Sequence, residues 1–113
     1  MGASKSDFFT EQQNSNANLF KALAHPARIA IIEHLINVNS CICGDLVDVL
    51  PLSQATVSQH LRELKEAKII KGSIDGNSIC YCLNTETLEH ITQILYGYGE
   101  KDRACNTEQN KCC

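Results

Sequence analysis

Apolar and polar positions in the first half of the chain follow a helical period. Leu19, Phe20 and Leu23 recur at the i, i+1, i+4 spacing of one helix face, which predicts a first helix within residues 6–24. His25-Pro26 interrupts the run. Proline has no N–H to lose in a first helical turn, so Pro26 is expected to open a second helix, "PARIAIIEHLINV". Ile29, Ile32, Leu35 and Ile36 are its expected buried stripe. Next, "GDLVDVL" places Leu46, Val49 and Leu50 on a short third helix that Pro51 ends. Ser53 then stands at an N-cap position before "QATVSQHLRELKEAK", whose Val57, Leu61 and Leu64 face inward at i, i+4 and i+7.

The opposite face of that fourth helix carries Gln54, Thr56, Ser58, Gln59 and Arg62, nearly all short side chains that both donate and accept hydrogen bonds. After it the period shortens to two. "IIKGSI" and "SICYCL" are β-branched runs flanking "DGN", a hairpin signal. "TETLEHITQILYGYGEK" restores the helical period through Leu88, Ile91, Leu95 and Tyr98, with Asn84 or Thr85 available as its cap. The expected fold is mainly α with a small β-hairpin, in the order helix-helix-helix-helix-strand-strand-helix. That order describes a winged helix-turn-helix, whose helix after the turn enters a DNA major groove. Residues 1–100 are expected to form this domain, and residues 101–113 a flexible cysteine-containing tail.

A chain of 113 residues, 43% hydrophobic and 20% charged, suits one soluble globular domain that completes its burial by dimerising. No apolar run approaches the roughly 20 residues that cross a bilayer, and "MGASKSDFFTEQQNSN" lacks the apolar core of a signal peptide. A cytoplasmic protein without a membrane partner is therefore expected. The net charge of −3 makes any DNA contact depend on a local patch, and Arg62, Lys65, Lys68 and Lys71 supply one, diluted by Glu63 and Glu66. No nucleophile-base-orienter set is recognisable, so the chain does not read as an enzyme. Cysteine is the outlying residue type, at positions 41, 43, 80, 82, 105, 112 and 113. In a reducing compartment, clustered cysteines read first as metal ligands or redox sensors.

Three segments, "LFKALAHPARIAIIEHL", "LSQATVSQHLRELKEAKIIKG" and "DGNSICYCLN", resemble the ArsR/SmtB family of dimeric winged-helix repressors over roughly residues 17–98. Lys68 departs from the pattern, standing where that family usually has glycine. The resemblance implies a homodimer on a palindromic double-stranded operator, released when an effector binds, with no organic cofactor. It implies DNA contacts from Ser53, Gln54, Thr56, Ser58, Gln59, His60 and Arg62. His60 has equal claim to a packing or phosphate-binding role, and His25 in "AHPAR" is expected to order the turn between helices. The family's zinc sensors carry a His/Asp/Glu set on the last helix. Here that helix offers Glu86, Glu89, His90 and Glu100 without a second histidine, so zinc is not expected there.

The family's arsenic, antimony, lead and cadmium sensors often carry C-V-C-D-L-C before the recognition helix. This chain reads "CICGDLV", with Gly44 as an inserted residue and Val47 in place of the third cysteine. Residues two apart share a side in extended backbone but not in a helix. Cys41 and Cys43 can therefore face one ion only if the helix begins no earlier than Cys43. Soft thiolates select soft ions: three in a pyramid suit As(III) or Sb(III), the expected effector, and a fourth would suit another soft metal such as Cd(II), Pb(II) or Zn(II). Cys105 is the expected third ligand, with Cys112 and Cys113 as alternatives, from the same chain or its partner. Cys80 and Cys82, alternating with Ile79, Tyr81 and Leu83, are expected to pack as small hydrophobes. A rival reading rests on "C-x-x-G-D/E-L", which resembles the family's persulfide and redox sensors and pairs Cys41 with a C-terminal cysteine. Gly97 holds that partner position, so Cys105 would have to replace it. Outside the repressors stand a thiol oxidoreductase and a cytosolic thiol metal buffer.

Overall fold

The computed structural model describes residues 8–39, 41–43, 50–76 and 78–107. In chain order these form α1 (Glu11–Leu23), α2 (Pro26–Val38), β1 (Ile42–Cys43), α3 (Gln54–Glu66), β2 (Ile70–Asp75), β3 (Ser78–Leu83) and α4 (Thr85–Thr107). A reciprocal cap starts α1: the Thr10 hydroxyl accepts from the Gln13 N–H, and the Gln13 amide oxygen accepts from the Thr10 N–H. Pro26 opens α2 as expected, after an extended His25 whose Nδ1 accepts from the Ala27 N–H at 3.0 Å. Asn39 ends α2 in the left-handed region that asparagine tolerates. The short helix expected over "GDLVDVL" lies outside the described residues, except Leu50, which packs against the core.

The core gathers Ile31, Ile32 and Leu35 of α2 with Val57, Leu61 and Leu64 of α3, then Ala22, Ile69, Ile70 and Ile91. The α2 stripe differs from the expected one. Ile31 is fully buried, whereas Ile29 is 41% and Ile36 54% exposed. This helix is apolar nearly all round, so spacing alone allowed two stripes; packing of α1, α3 and β3 against α2 selects the one centred on Ile31. In α3 the two faces differ sharply, and its buried stripe is the expected one.

Helix α3 stops through a left-handed turn. Lys68 has φ 64°, its N–H donates to the Lys65 carbonyl, and the Ile69 N–H donates to the Leu64 carbonyl at 3.0 Å. This paired arrangement satisfies two terminal carbonyls and drives Ile69 into the core beside Leu64. The chain then enters the wing. β2 and β3 pair antiparallel out to Asp75 opposite Ser78, around a two-residue loop whose Gly76 has φ 64°.

β1 adds to the other edge of β3, giving the order β1-β3-β2 with Ile42 opposite Tyr81 and Cys43 opposite Cys80. Residues 41–43 are extended, as chelation at this position requires, but their pairing with the wing was not anticipated. α4 runs on to Thr107, so residues 101–107 are helical and the expected tail boundary moves. Residues 108–113, with Cys112 and Cys113, lie outside the described part. Buried Asn16 of α1 donates to the Tyr98 hydroxyl of α4 at 3.4 Å.

Candidate nucleic-acid interface and thiol site

Ser53 caps α3, its hydroxyl accepting from the Thr56 N–H and donating to the Thr56 hydroxyl at 3.0 Å. Gln54, Thr56, Ser58, Gln59 and Arg62 are all exposed on this helix. Arg62 donates to the Gln59 amide oxygen at 3.3 Å, and the Gln59 amide nitrogen donates to Glu63 at 3.1 Å. These exposed bonds hold the side chains in a row yet exchange readily for base-edge or phosphate partners. Lys65, Lys68 and Lys71 extend the positive edge toward the wing. A Cβ on Gly72 would meet the end of the Lys65 side chain and the Tyr81 ring at 3.4 Å, so glycine there lets Lys65 lie against the sheet.

His60 does not belong to this surface. It is buried in the groove between α2 and α3, where its Nδ1 accepts from Arg28 Nε at 3.2 Å. Arg28 also donates to the Ala22 carbonyl at 3.2 Å, and the His25 ring centroid lies 4.2 Å from that of His60. Burial pushes the His60 imidazole below its usual range; positive charge on His25 and Arg28 pushes the same way, and Glu63 opposes. A neutral ring with its proton on Nε2 is the form that accepts from Arg28. Of the roles open to His60, packing is the one its burial supports and a place on the exposed face is not: it braces α3 from behind. His25 does order the turn, and Arg28 completes this brace, a role its sequence position did not reveal.

The cysteines regroup as well. Cys41 is disulfide-bonded to Cys82, with their Cα atoms 4.4 Å apart. That separation is typical of a directly facing, non-hydrogen-bonded pair on antiparallel strands. It continues the β1–β3 register by one residue, from Ile42 opposite Tyr81 to Cys41 opposite Cys82. Cys80 is buried and also disulfide-bonded. The expectation that Cys80 and Cys82 only pack is therefore corrected. Cys105, the expected third ligand from the same chain or its partner, stands on α4. Thr85 lines the same cavity as Cys41 and Cys82, and Cys105 follows about 30 Å further along α4. Among the described residues, no group of three or more His, Cys, Asp or Glu is placed to hold a metal ion. The signal missed was the repetition of C-x-C: two such strands paired antiparallel bring their cysteines face to face.

A helix-turn-helix with an exposed polar second helix, followed by a hairpin wing, defines a winged helix-turn-helix fold. A helix-turn-helix domain model matches residues 23–72. The chain is 42% identical over 84 residues to the HTH-type transcriptional repressor SmtB of Mycobacterium tuberculosis, covering 74% of this chain and 62% of that one. It is 30% identical over 99 residues to the arsenical resistance operon repressor of Staphylococcus xylosus, covering 85% and 94% respectively. An ArsR-like transcriptional regulator from Rhodococcus shares the fold with TM-score 0.71 and 22% identity over 91% of this chain and 97% of that one. The chain belongs to the ArsR/SmtB family of winged-helix transcriptional repressors and spans 62% of the length of the SmtB relative it matches.

Proposed function

We propose that this protein is a homodimeric repressor that occupies a palindromic operator through α3 and the wing, and leaves it when As(III) or Sb(III) binds cysteine thiolates around Cys41. The observation that carries the effector reading is the extended backbone at Cys41, Ile42 and Cys43, which gives a C-x-C pair the conformation in which both residues occupy one side. The arsenical resistance operon repressor of Staphylococcus xylosus lends the arsenic reading support by similarity. Linkage then requires that operator DNA weaken effector binding by the factor by which effector weakens operator binding.

A second reading has its own observation. The Cys41–Cys82 disulfide favours a redox sensor, with Cys82 rather than a C-terminal cysteine as the partner of Cys41. Mobility shift of reduced protein on the palindromic DNA upstream of its own gene separates the two. Arsenite is expected to release the operator at concentrations where a persulfide donor or peroxide does not. Release by the oxidants alone would transfer the function to the second reading. In the same assay Arg62→Ala should weaken binding evenly across sequences and lower the salt slope by about 1. Gln54→Ala should cost about 1–3 kcal/mol and relax base preference. Binding unchanged in both variants would remove α3 from the interface.

A further inference from the structure

We propose that the thiophilic-ion site of this protein is built between β1 and the wing strand β3, with Cys41 and Cys82 as its central pair and Cys80, two residues along β3, supplying a further thiolate. The inference rests on the soft-ion reading above and gives that site its place and its ligands. Three observations carry it. Cys41 and Cys82 are close enough for a covalent bond across the strands, so one atom bridges them with little backbone movement. Cys80 stands two residues along β3 from Cys82, hence on the same face, and the register sets Cys43 opposite it. The pair also opens onto a cavity of about 310 Å³ lined by Leu35, Ile36, Asn39 and Thr85, with Cys41 itself exposed, so an ion has a route in.

The setting suits anionic sulfur. Thr85 is the first residue of α4, and the positive end of that helix dipole lies at the cavity wall. Soft thiolates prefer soft, highly polarising ions over the hard cations that carboxylates hold. The chemistry balances simply. Reduction of the Cys41–Cys82 disulfide and of the disulfide that holds Cys80, by an external thiol or phosphine, delivers two electrons and two protons to each and frees two thiols from each. Each thiol then displaces one hydroxyl of As(OH)₃, its proton leaving with that hydroxyl as water, and a third thiol completes As(SR)₃. The disulfide and the complex use the same sulfurs, so oxidised protein cannot take up the ion.

The location has a consequence for release. An arsenic atom held between two sulfurs keeps them farther apart than a direct S–S bond does. The ion thus ties β1 to β3 at a slightly wider spacing than the disulfide sets, and β3 pairs along its whole length with β2, which follows directly from the end of α3. The ion therefore acts on the wing and, through β2, on the recognition helix.

The test uses the full chain, reduced with a phosphine, freed of reductant and kept anaerobic. Arsenite is titrated, and binding is read from near-ultraviolet thiolate-to-arsenic absorption and from the mass of the complex. Cys82→Ser and Cys80→Ser are expected to weaken arsenite binding by about tenfold or more, while Cys105→Ser stays close to wild type. Iodoacetamide footprinting of the wild type needs no variant: arsenite should protect Cys41, Cys82 and Cys80 and leave Cys105 reactive. Loss of binding in Cys105→Ser with retention in Cys82→Ser, or protection of Cys105 with Cys82 still reactive, overturns the site. If that happens while arsenite still releases the operator, the soft-ion repressor reading survives and only its location fails. If arsenite protects Cys41 and Cys82 without releasing the operator, the site stands and the arsenic reading fails. Absence of any arsenite binding to reduced wild type overturns both.

Discussion

His60 shows how one residue can sit in the helix proposed to read DNA and still face away from that helix's polar surface. Val57, His60, Leu61 and Leu64 are spaced i, i+3, i+4 and i+7, so the helical period itself places the imidazole on the buried stripe. That spacing was legible. What the sequence did not disclose was the partner, because Arg28 lies on another helix and only the α2–α3 packing brings its Nε to His60 Nδ1. The brace depends on a neutral ring, and this fixes a sign for pH. The folded imidazole holds its proton less tightly than the unfolded one, so the unfolded chain binds more protons as pH falls. The stabilising contribution is complete above the unfolded value of about 6.5 and is lost as pH drops through the lower folded value. Urea denaturation between pH 7.5 and 5 should therefore show stability falling on the acid side, and His60→Gln, which keeps an acceptor for Arg28 without titrating, should flatten that fall. Parallel curves for the two proteins would remove His60 from the acid response.

Among the elements, those with a strong contrast between faces or a punctuating residue were legible: α3 from its apolar stripe and Ser53, the hairpin from Asp75-Gly76-Asn77, the start of α2 from Pro26. α2 gave its length and half of its buried face, Ile32 and Leu35 but not Ile29 and Ile36, since an apolar helix offers little contrast. β1 escaped because two residues carry no period; its strand character comes from β3, which is distant in sequence. The candidate thiol site was half legible for the same reason. The C-x-C of residues 41–43 announced itself, whereas Cys82 enters only through strand pairing. The end of α3 is an element whose sequence and geometry disagree. Lys68 occupies a left-handed conformation that costs an L-residue with a Cβ about 1–2 kcal/mol, and the paired bonds of the turn hold it there. Lys68→Gly should raise stability by about 1 kcal/mol, partly offset by the greater freedom of glycine in the unfolded chain. An unchanged or lower denaturation midpoint would show that the Lys68 side chain contributes more than its backbone strain removes.

At the scale of the whole molecule, α4 presents an apolar face that a single chain leaves uncovered. Ile91 is buried, but Leu95, Tyr96 and Tyr98 are each more than half exposed, and Phe8 and Phe9 stand exposed just before α1. The stripe expected from Leu88 to Tyr98 is thus continuous along the helix yet buried only in its first half. On the operator proposed above, a second copy of the chain would cover this face, because a palindrome presents two equivalent half-sites related by the same two-fold symmetry. Tyr98 is already tied to Asn16, which keeps α1 and α4 together as one surface. Leu95→Glu places a charge in the centre of that surface without touching the Arg28–His60 brace, the wing or the cysteines. It is expected to sediment as a folded monomer, and the wild type as a dimer. Operator affinity should fall by about a hundredfold, since the second half-site no longer binds as an intramolecular event. Arsenite binding to the reduced variant should survive, because both strands of the proposed site come from one chain. A Leu95→Glu protein that remains dimeric would place the interface elsewhere. A monomer that keeps full operator affinity would show that one α3 and one wing suffice, and the two-fold account of recognition would have to be abandoned.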